Sequence, residues 1–197
     1  MDSERLIKQI EFIVEVDKLK RIFRQNAIIG TIESENDAEH SWHLAVMAIL
    51  LSEYSSTKEL DMLRVLKMLL IHDLVEIHAG DTFCYDEKGN LDKLEREQRS
   101  ADKLFNILPS DQAQEIMNLW LEFETMETPE ACFAASLDRL QPLLLNYHTS
   151  GHTWKRPGIN SEKVLKRNRV LEKPVPLLWE YAQEIIEDSI QKGYLRK

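Results

Sequence analysis

Apolar residues recur at helical spacing along almost the whole chain. Leu6, Ile10, Ile13 and Val14, followed by Asp17 and Arg21, predict a first helix over about residues 3–24. It is apolar on one face at its start and basic at its end, where Lys18, Lys20, Arg21 and Arg24 gather. Residues 25–36, with Gly30 in the middle, read as a loop. Asp37 is the expected N-cap of a second helix to about residue 54, carrying Trp42, Ala45, Val46, Ile49 and Leu50. The strongest pattern follows. Leu63, Leu66, Leu69, Leu70, Leu74 and Ile77 form a broad apolar stripe that predicts one helix over about residues 59–78, with Gly80 as its C-cap.

Beyond an irregular stretch at 82–90, a charged helix is expected over about 91–107 and another from Pro109-Ser110 to about Glu124. Thr128-Pro129-Glu130 opens the next, since threonine caps well and proline suits the first helical position. Ala134, Leu137, Leu140, Leu144 and Leu145 mark its apolar side. A loop over 149–160 precedes two further helices, at 161–171 and 176–192. No segment alternates with period two, so the expectation is an all-α fold of about seven or eight helices with essentially no sheet.

Composition narrows the picture. A chain of 197 residues with 43 % apolar and 30 % charged side chains fits one globular domain. Six glycines and six prolines are too few for the many turns of a sandwich or barrel. The net charge of −9 argues against a nucleic-acid polymer as partner, because such binding relies on basic patches. Small phosphorylated ligands stay open, since carboxylates can hold a metal that supplies the missing positive charge. Cys84 and Cys132 suggest no disulfide framework, and the acidic run 122–127 reads as a solvated face. The charged N-terminus lacks the apolar core of a signal peptide, and the longest apolar run, Leu44 to Leu51, is too short for a bilayer. A cytoplasmic location and no membrane contact are expected.

The chemistry lies where polar residues break the apolar stripes. His72, Asp73 and Glu76 interrupt the third helix, with Asp73 between Leu70 and Ile77 on the face that should be buried. A buried carboxylate costs several kcal/mol unless it is paired or binds a metal. Asp138 sits beside Leu137 on another apolar helix, and His40 lies near the start of the second. Brought together, His40, His72, Asp73 and Asp138 offer two imidazoles and two carboxylates, a donor set suited to manganese, iron, cobalt, nickel or zinc. Other readings stand beside this one. Asp73 can pair with an arginine from a neighbouring helix, and Asp138 adjoins Arg139. His43 is read as packed near Trp42 in preference to a ligand, His78 as a helix-end residue, and His148 and His152 as solvated.

The order of pieces resembles a family. Ala38-Glu39-His40-Ser41-Trp42-His43 is followed by His72-Asp73-Leu74-Val75-Glu76, then Gly80-Asp81, then Leu137-Asp138-Arg139-Leu140. This is similar to the H…HD…D signature of HD-domain phosphohydrolases and, more narrowly, to their bacterial 5′-deoxynucleotidase branch. The likeness spans about residues 17–147, with the helices of 161–192 beyond it.

The resemblance implies a helical HD fold around one divalent ion (Mn, Co, Fe, Ni, Zn or Mg) held by His40, His72, Asp73 and Asp138. It implies Glu76 and Asp81 as catalytic acid and base groups, Asp81 and Thr82 facing the substrate, and Arg24 orienting the phosphate. It implies a homodimer, with a nucleoside 5′-monophosphate as substrate and activated water releasing inorganic phosphate. One departure matters: the family's tryptophan after that arginine, which helps to exclude a ribose 2′-hydroxyl, is here Gln25. Another phosphorylated or pyrophosphorylated small molecule is the alternative substrate. No second basic cluster beside the motifs is evident, although Lys88, Lys93 and Arg96 follow Asp81 closely. A non-catalytic nucleotide-binding module is the further alternative.

Overall fold

The computed structural model describes residues 3–197. Residues 1 and 2, which the one-domain expectation includes, lie outside the described part. Helix α1 (Ser3–Val16) buries no residue fully, and a 3-10 turn over Asp17–Arg21 then sets Leu19 into the core. The chain next becomes extended. Strand β1 (Phe23–Ala27) pairs antiparallel with β2 (Ser34–Asn36), Phe23 opposite Asn36 and Ala27 opposite Ser34. This hairpin is the small exception to the expected all-α fold, and it corrects the expectation of a first helix reaching residue 24. Strands of five and three residues with an irregular register are too short to print a period-two pattern. Arg24 therefore sits on a strand.

Helix α2 (Asp37–Leu51) is capped by Asn36, not by Asp37 as expected. The Asn36 side chain accepts from the Glu39 N–H at 3.0 Å, and the Glu39 carboxylate accepts from the Asn36 N–H at 3.0 Å. This capping box moves Asp37 into the first helical turn, where it is fully buried. The predicted long third helix is broken into three pieces. Helix α3 (Met62–Ile71) ends at a 3-10 turn over His72–Val75, and one further α-turn, α4 (Glu76–Ala79), stops at Gly80 with φ +77°.

The remaining helices follow the sequence expectations closely: α5 (Lys93–Phe105), α6 (Ser110–Thr125), α7 (Pro129–His148), α8 (Ser161–Asn168) and α9 (Pro176–Gln191). The Thr128 hydroxyl caps α7 by accepting from the Ala131 N–H at 3.2 Å. Helix α7 carries the largest share of the core and packs on α2, α3, α6 and α9. Leu44, Leu69, Trp120, Phe133 and Leu137 are all within 4 % of complete burial. The outer sides of the first three helices differ. Leu6, Ile10, Ile13, Ile49, Leu50, Leu63 and Leu70 are half exposed or more, so part of the predicted stripe faces outward. Among the described residues no helix is long and apolar enough to cross a membrane.

Leu44 follows His40 by one turn of α2 and is wholly buried. Replacing it with alanine should destabilise the protein by about 2–5 kcal/mol in urea unfolding, the usual cost of a buried Leu→Ala cavity. An unchanged midpoint would contradict the packing of α2 into this core.

Candidate metal centre and substrate cleft

Three segments converge on one buried point. His40 comes from α2, His72 and Asp73 from the 3-10 turn, and Asp138 from the middle of α7. The tighter 3-10 turn places His72 and Asp73 side by side, with His72 Nε2 3.2 Å from Asp73 Oδ1. Ligand atoms of His40, His72 and Asp73 all lie within 4.8 Å of one another. Asp138 Oδ1 is 3.0 Å from His40 Nε2 and 3.8 Å from His72 Nε2. The structure thus brings all four predicted ligands together. Each carboxylate also meets an arginine: Arg24 donates to Asp73 Oδ2 at 2.8 Å, from strand β1 and not from a helix, and Arg139 donates to Asp138.

The donors fit a divalent ion. The His72 Nδ1–H faces the Leu69 carbonyl at 3.0 Å, which leaves Nε2 as the free nitrogen. That Nε2 is buried between two carboxylate oxygens yet aligned with neither for a hydrogen bond. Burial works against protonation of His72, but the Asp73 charge and the Asp138 contact outweigh it and push it up to about 10. Burial works to raise Asp73, and His72 and Arg24 together overcome it and hold the carboxyl low. Asp138 is likewise held low against its burial by Arg139 and both imidazoles. A buried imidazole pair surrounded by ionised carboxylates is the environment that a small cation stabilises.

Two further acids beside the centre, Glu35 and Asp37, are not evident from the sequence as part of it. Glu35, on β2, approaches His40 Nδ1 at 3.6 Å and accepts from Gln141 Nε2 at 2.6 Å. Asp37 lies 3.4 Å from Arg24 and also meets Glu76. Burial and the Asp73 charge push Asp37 up to about 7, against the pull of Arg24. Burial, with the charges of Asp73 and Asp37, raises Glu76 well above the usual carboxylate range. The Asn36–Glu39 capping box was the available signal, because it takes the cap role from Asp37. Nothing in a three-residue strand marks Glu35.

Asp81 follows the left-handed Gly80 and lines the cleft, where burial raises its carboxyl and Arg24 opposes the rise. The segment that carries it is clamped by Arg96 of α5. Its guanidinium donates to the Ala79 carbonyl at 2.7 Å, the Thr82 hydroxyl at 2.9 Å and the Gly89 carbonyl at 2.9 Å. Arg96 is thus a strut, while Lys88 is exposed. Two connected spaces result. The cleft that Asp73 and Asp138 line has a volume of about 70 Å³, and beside it opens a cavity of about 560 Å³. Gln25, Asp81, Thr82 and Phe83 border both. All four predicted substrate-side residues line the cleft, Arg24 with Gln25, Asp81 and Thr82. His43 is no part of it. It faces Gln141 Nε2 at 3.3 Å, and its neighbour Trp42 is mostly exposed.

A helical core with a His, a His-Asp pair and a distant Asp converging on one point defines a class, and the sequence of that class matches here: the profile described as HD domain covers residues 16–179. The chain belongs to the HD-domain family. It is 30 % identical to the zebrafish (Danio rerio) protein named 5′-deoxynucleotidase HDDC2, over 76 % of this chain and 72 % of that one. It is 26 % identical to the fission yeast (Schizosaccharomyces pombe) 5′-deoxynucleotidase hdd1, over 99 % of this chain and 90 % of that one. Among solved structures, a protein from Magnetospirillum magnetotacticum described as a predicted metal-dependent phosphohydrolase superposes with a TM-score of 0.91. The two are 48 % identical, over 98 % of this chain and 97 % of the other.

Chelator-stripped protein should gain thermal stability when a divalent ion is added. At a free ion concentration a hundred times its Kd, the gain is about 2.7 kcal/mol, which moves the melting point by several degrees for a chain of this size. His72→Ala should abolish the shift. No shift with any of Mn, Co, Fe, Ni, Zn or Mg in the native chain would rule out the centre.

Proposed function

We propose that this chain is a metal-dependent 5′-nucleotidase, a phosphoric monoester hydrolase acting on nucleoside or deoxynucleoside 5′-monophosphates, with the whole chain forming one HD domain. The observation that carries this reading is the four-residue centre whose Asp73 and Asp138 line a cleft with room for one phosphate, next to a cavity of nucleoside size that shares its border residues. The names of its relatives in animals and yeast agree with it.

His40, His72, Asp73 and Asp138 are the residues that would hold the ion. When bound there, it supplies Lewis acidity to a phosphoryl oxygen and lowers the pKa of a water. The rest belongs to the chain. Water attacks phosphorus and the bond from phosphorus to the nucleoside 5′-oxygen breaks. Attack comes from the side opposite the leaving oxygen, so the two carboxyls divide by position. Glu76 lines the cleft alone and takes the proton of the water; Asp81 borders both spaces and returns a proton to the 5′-oxygen. Arg24 fixes Asp73 and Asp37, and through them the charge balance around the cleft.

The finer setting follows the same reading: a cytoplasmic enzyme that works as a homodimer. The apolar side chains left outside on α1, α2 and α3 support the pairing, since such faces mark interaction surfaces. Light scattering should give twice the chain mass, and Ile13→Glu combined with Ile49→Glu should give one chain mass; a monomeric native protein would remove the dimer.

Metal-reloaded protein should release inorganic phosphate from nucleoside 5′-monophosphates. Glu76→Gln should cut turnover by about 10²–10⁴-fold while keeping the metal-dependent melting shift. Release of pyrophosphate or triphosphate, or no release from any monophosphate, would overturn the reading.

A further inference from the structure

Four cationic side chains line the cleft: Arg24, Lys93, Arg139 and Arg167. Three are committed to acids. Arg24 donates to Asp73, Arg139 donates to Asp138, and Lys93 Nζ is 3.3 Å from Glu97 Oε1. Arg167 differs. It reaches the cleft from α8, beyond the motif-bearing segment, and its guanidinium has neither a hydrogen bond nor an ion pair among the described residues. Its neighbours make this costly, since burial and the Arg139 charge both disfavour its protonated form. A half-buried guanidinium beside another cation, with no carboxylate of its own, is stabilised by an anionic ligand.

The size of the cleft limits what that anion can be. The cleft holds about 70 Å³ and is lined together by Asp73, Asp138, Asp81 and Arg167, so one small oxyanion within it also borders Arg167. The flexible Lys163, Lys166 and Arg169 of the same region do not line it. We infer that Arg167 is the phosphate-binding residue of this cleft, donating to the non-bridging oxygens of the phosphate that is hydrolysed and afterwards to inorganic phosphate. Arg24, which also lines the cleft, donates to Asp73, and Arg167 adds a cationic group from α8. Arginine suits the role, because its planar fork matches two phosphate oxygens at once.

The inference rests on the phosphohydrolase reading for the identity of the substrate, but not for its test. Inorganic phosphate is titrated into the metal-loaded native protein by calorimetry, and a neutral nucleoside is titrated separately. Arg167→Gln should weaken phosphate binding about tenfold or more, the loss of a charge-assisted pair, with nucleoside affinity and melting point unchanged. Arg167→Lys should recover part of the loss. In the hydrolysis assay the same Gln variant should raise KM for the monophosphate. Equal phosphate affinity in native and Gln proteins overturns the inference, as does a native protein that hydrolyses monophosphates yet binds no phosphate through Arg167. A native protein that binds phosphate through Arg167 and hydrolyses nothing leaves the site standing and removes the enzyme reading instead.

Discussion

Burying negative charge is the constraint around which this molecule is arranged. Glu35, Asp37, Asp73, Glu76 and Asp138 are each less than 9 % exposed inside a helical core, together with His40 and His72. Each ionised carboxylate removed from water costs several kcal/mol unless it meets positive charge or shares a proton. The fold answers with Arg24 beside Asp73, Arg139 beside Asp138, and two imidazoles in the middle. A divalent ion adds charge where Asp73 and Asp138 converge. The elements that look irregular are those that make the convergence. The 3-10 turn sets His72 beside Asp73, and the hairpin delivers Glu35 to His40 and Arg24 to Asp73.

How legible this was depends on what each residue's surroundings imprint on the sequence. Helices α5 to α9 were readable because a 3.6-residue period repeats several times in each. Of the four candidate ligands, His72, Asp73 and Asp138 were readable because a carboxylate or imidazole inside an apolar stripe conflicts with its position, and the conflict needs no partner to be noticed. The break at His72 was not. Leucines three and four apart satisfy a 3-10 turn as well as an α-helix over so short a span. Strand β2 offers three residues, too few for any periodicity, so Glu35 stayed hidden inside a presumed loop. Asp37 was misplaced because asparagine and aspartate are equal N-caps, and only the Glu39 partner decides between neighbours.

The basic residues show the opposite limit. Lys163, Lys166, Arg167 and Arg169 crowd one short segment, and sequence spacing alone cannot tell which one turns inward. Lys93 and Arg96, noticed for their nearness to Asp81, divide on inspection: one lines the cleft beside Glu97, the other ties down the segment that carries Asp81. Charge near a motif in sequence is therefore weak information about charge near a substrate. What distinguishes a strut from a binding group is whether its hydrogen bonds are already spent on the protein.

The same criterion bears on Gln25. It borders both the phosphate-sized cleft and the larger cavity, at the junction that the sugar of a nucleotide would occupy. An indole at this position presents a flat apolar edge that disfavours a hydroxyl. A primary amide presents two donors and an acceptor, and among the described residues no side-chain hydrogen bond uses them. A site with unspent polar groups discriminates in favour of a ligand that can pair them, and against one that leaves them buried and empty. Gln25 thus sets unspent polar groups at the border of the two spaces, where a ligand able to pair them is favoured.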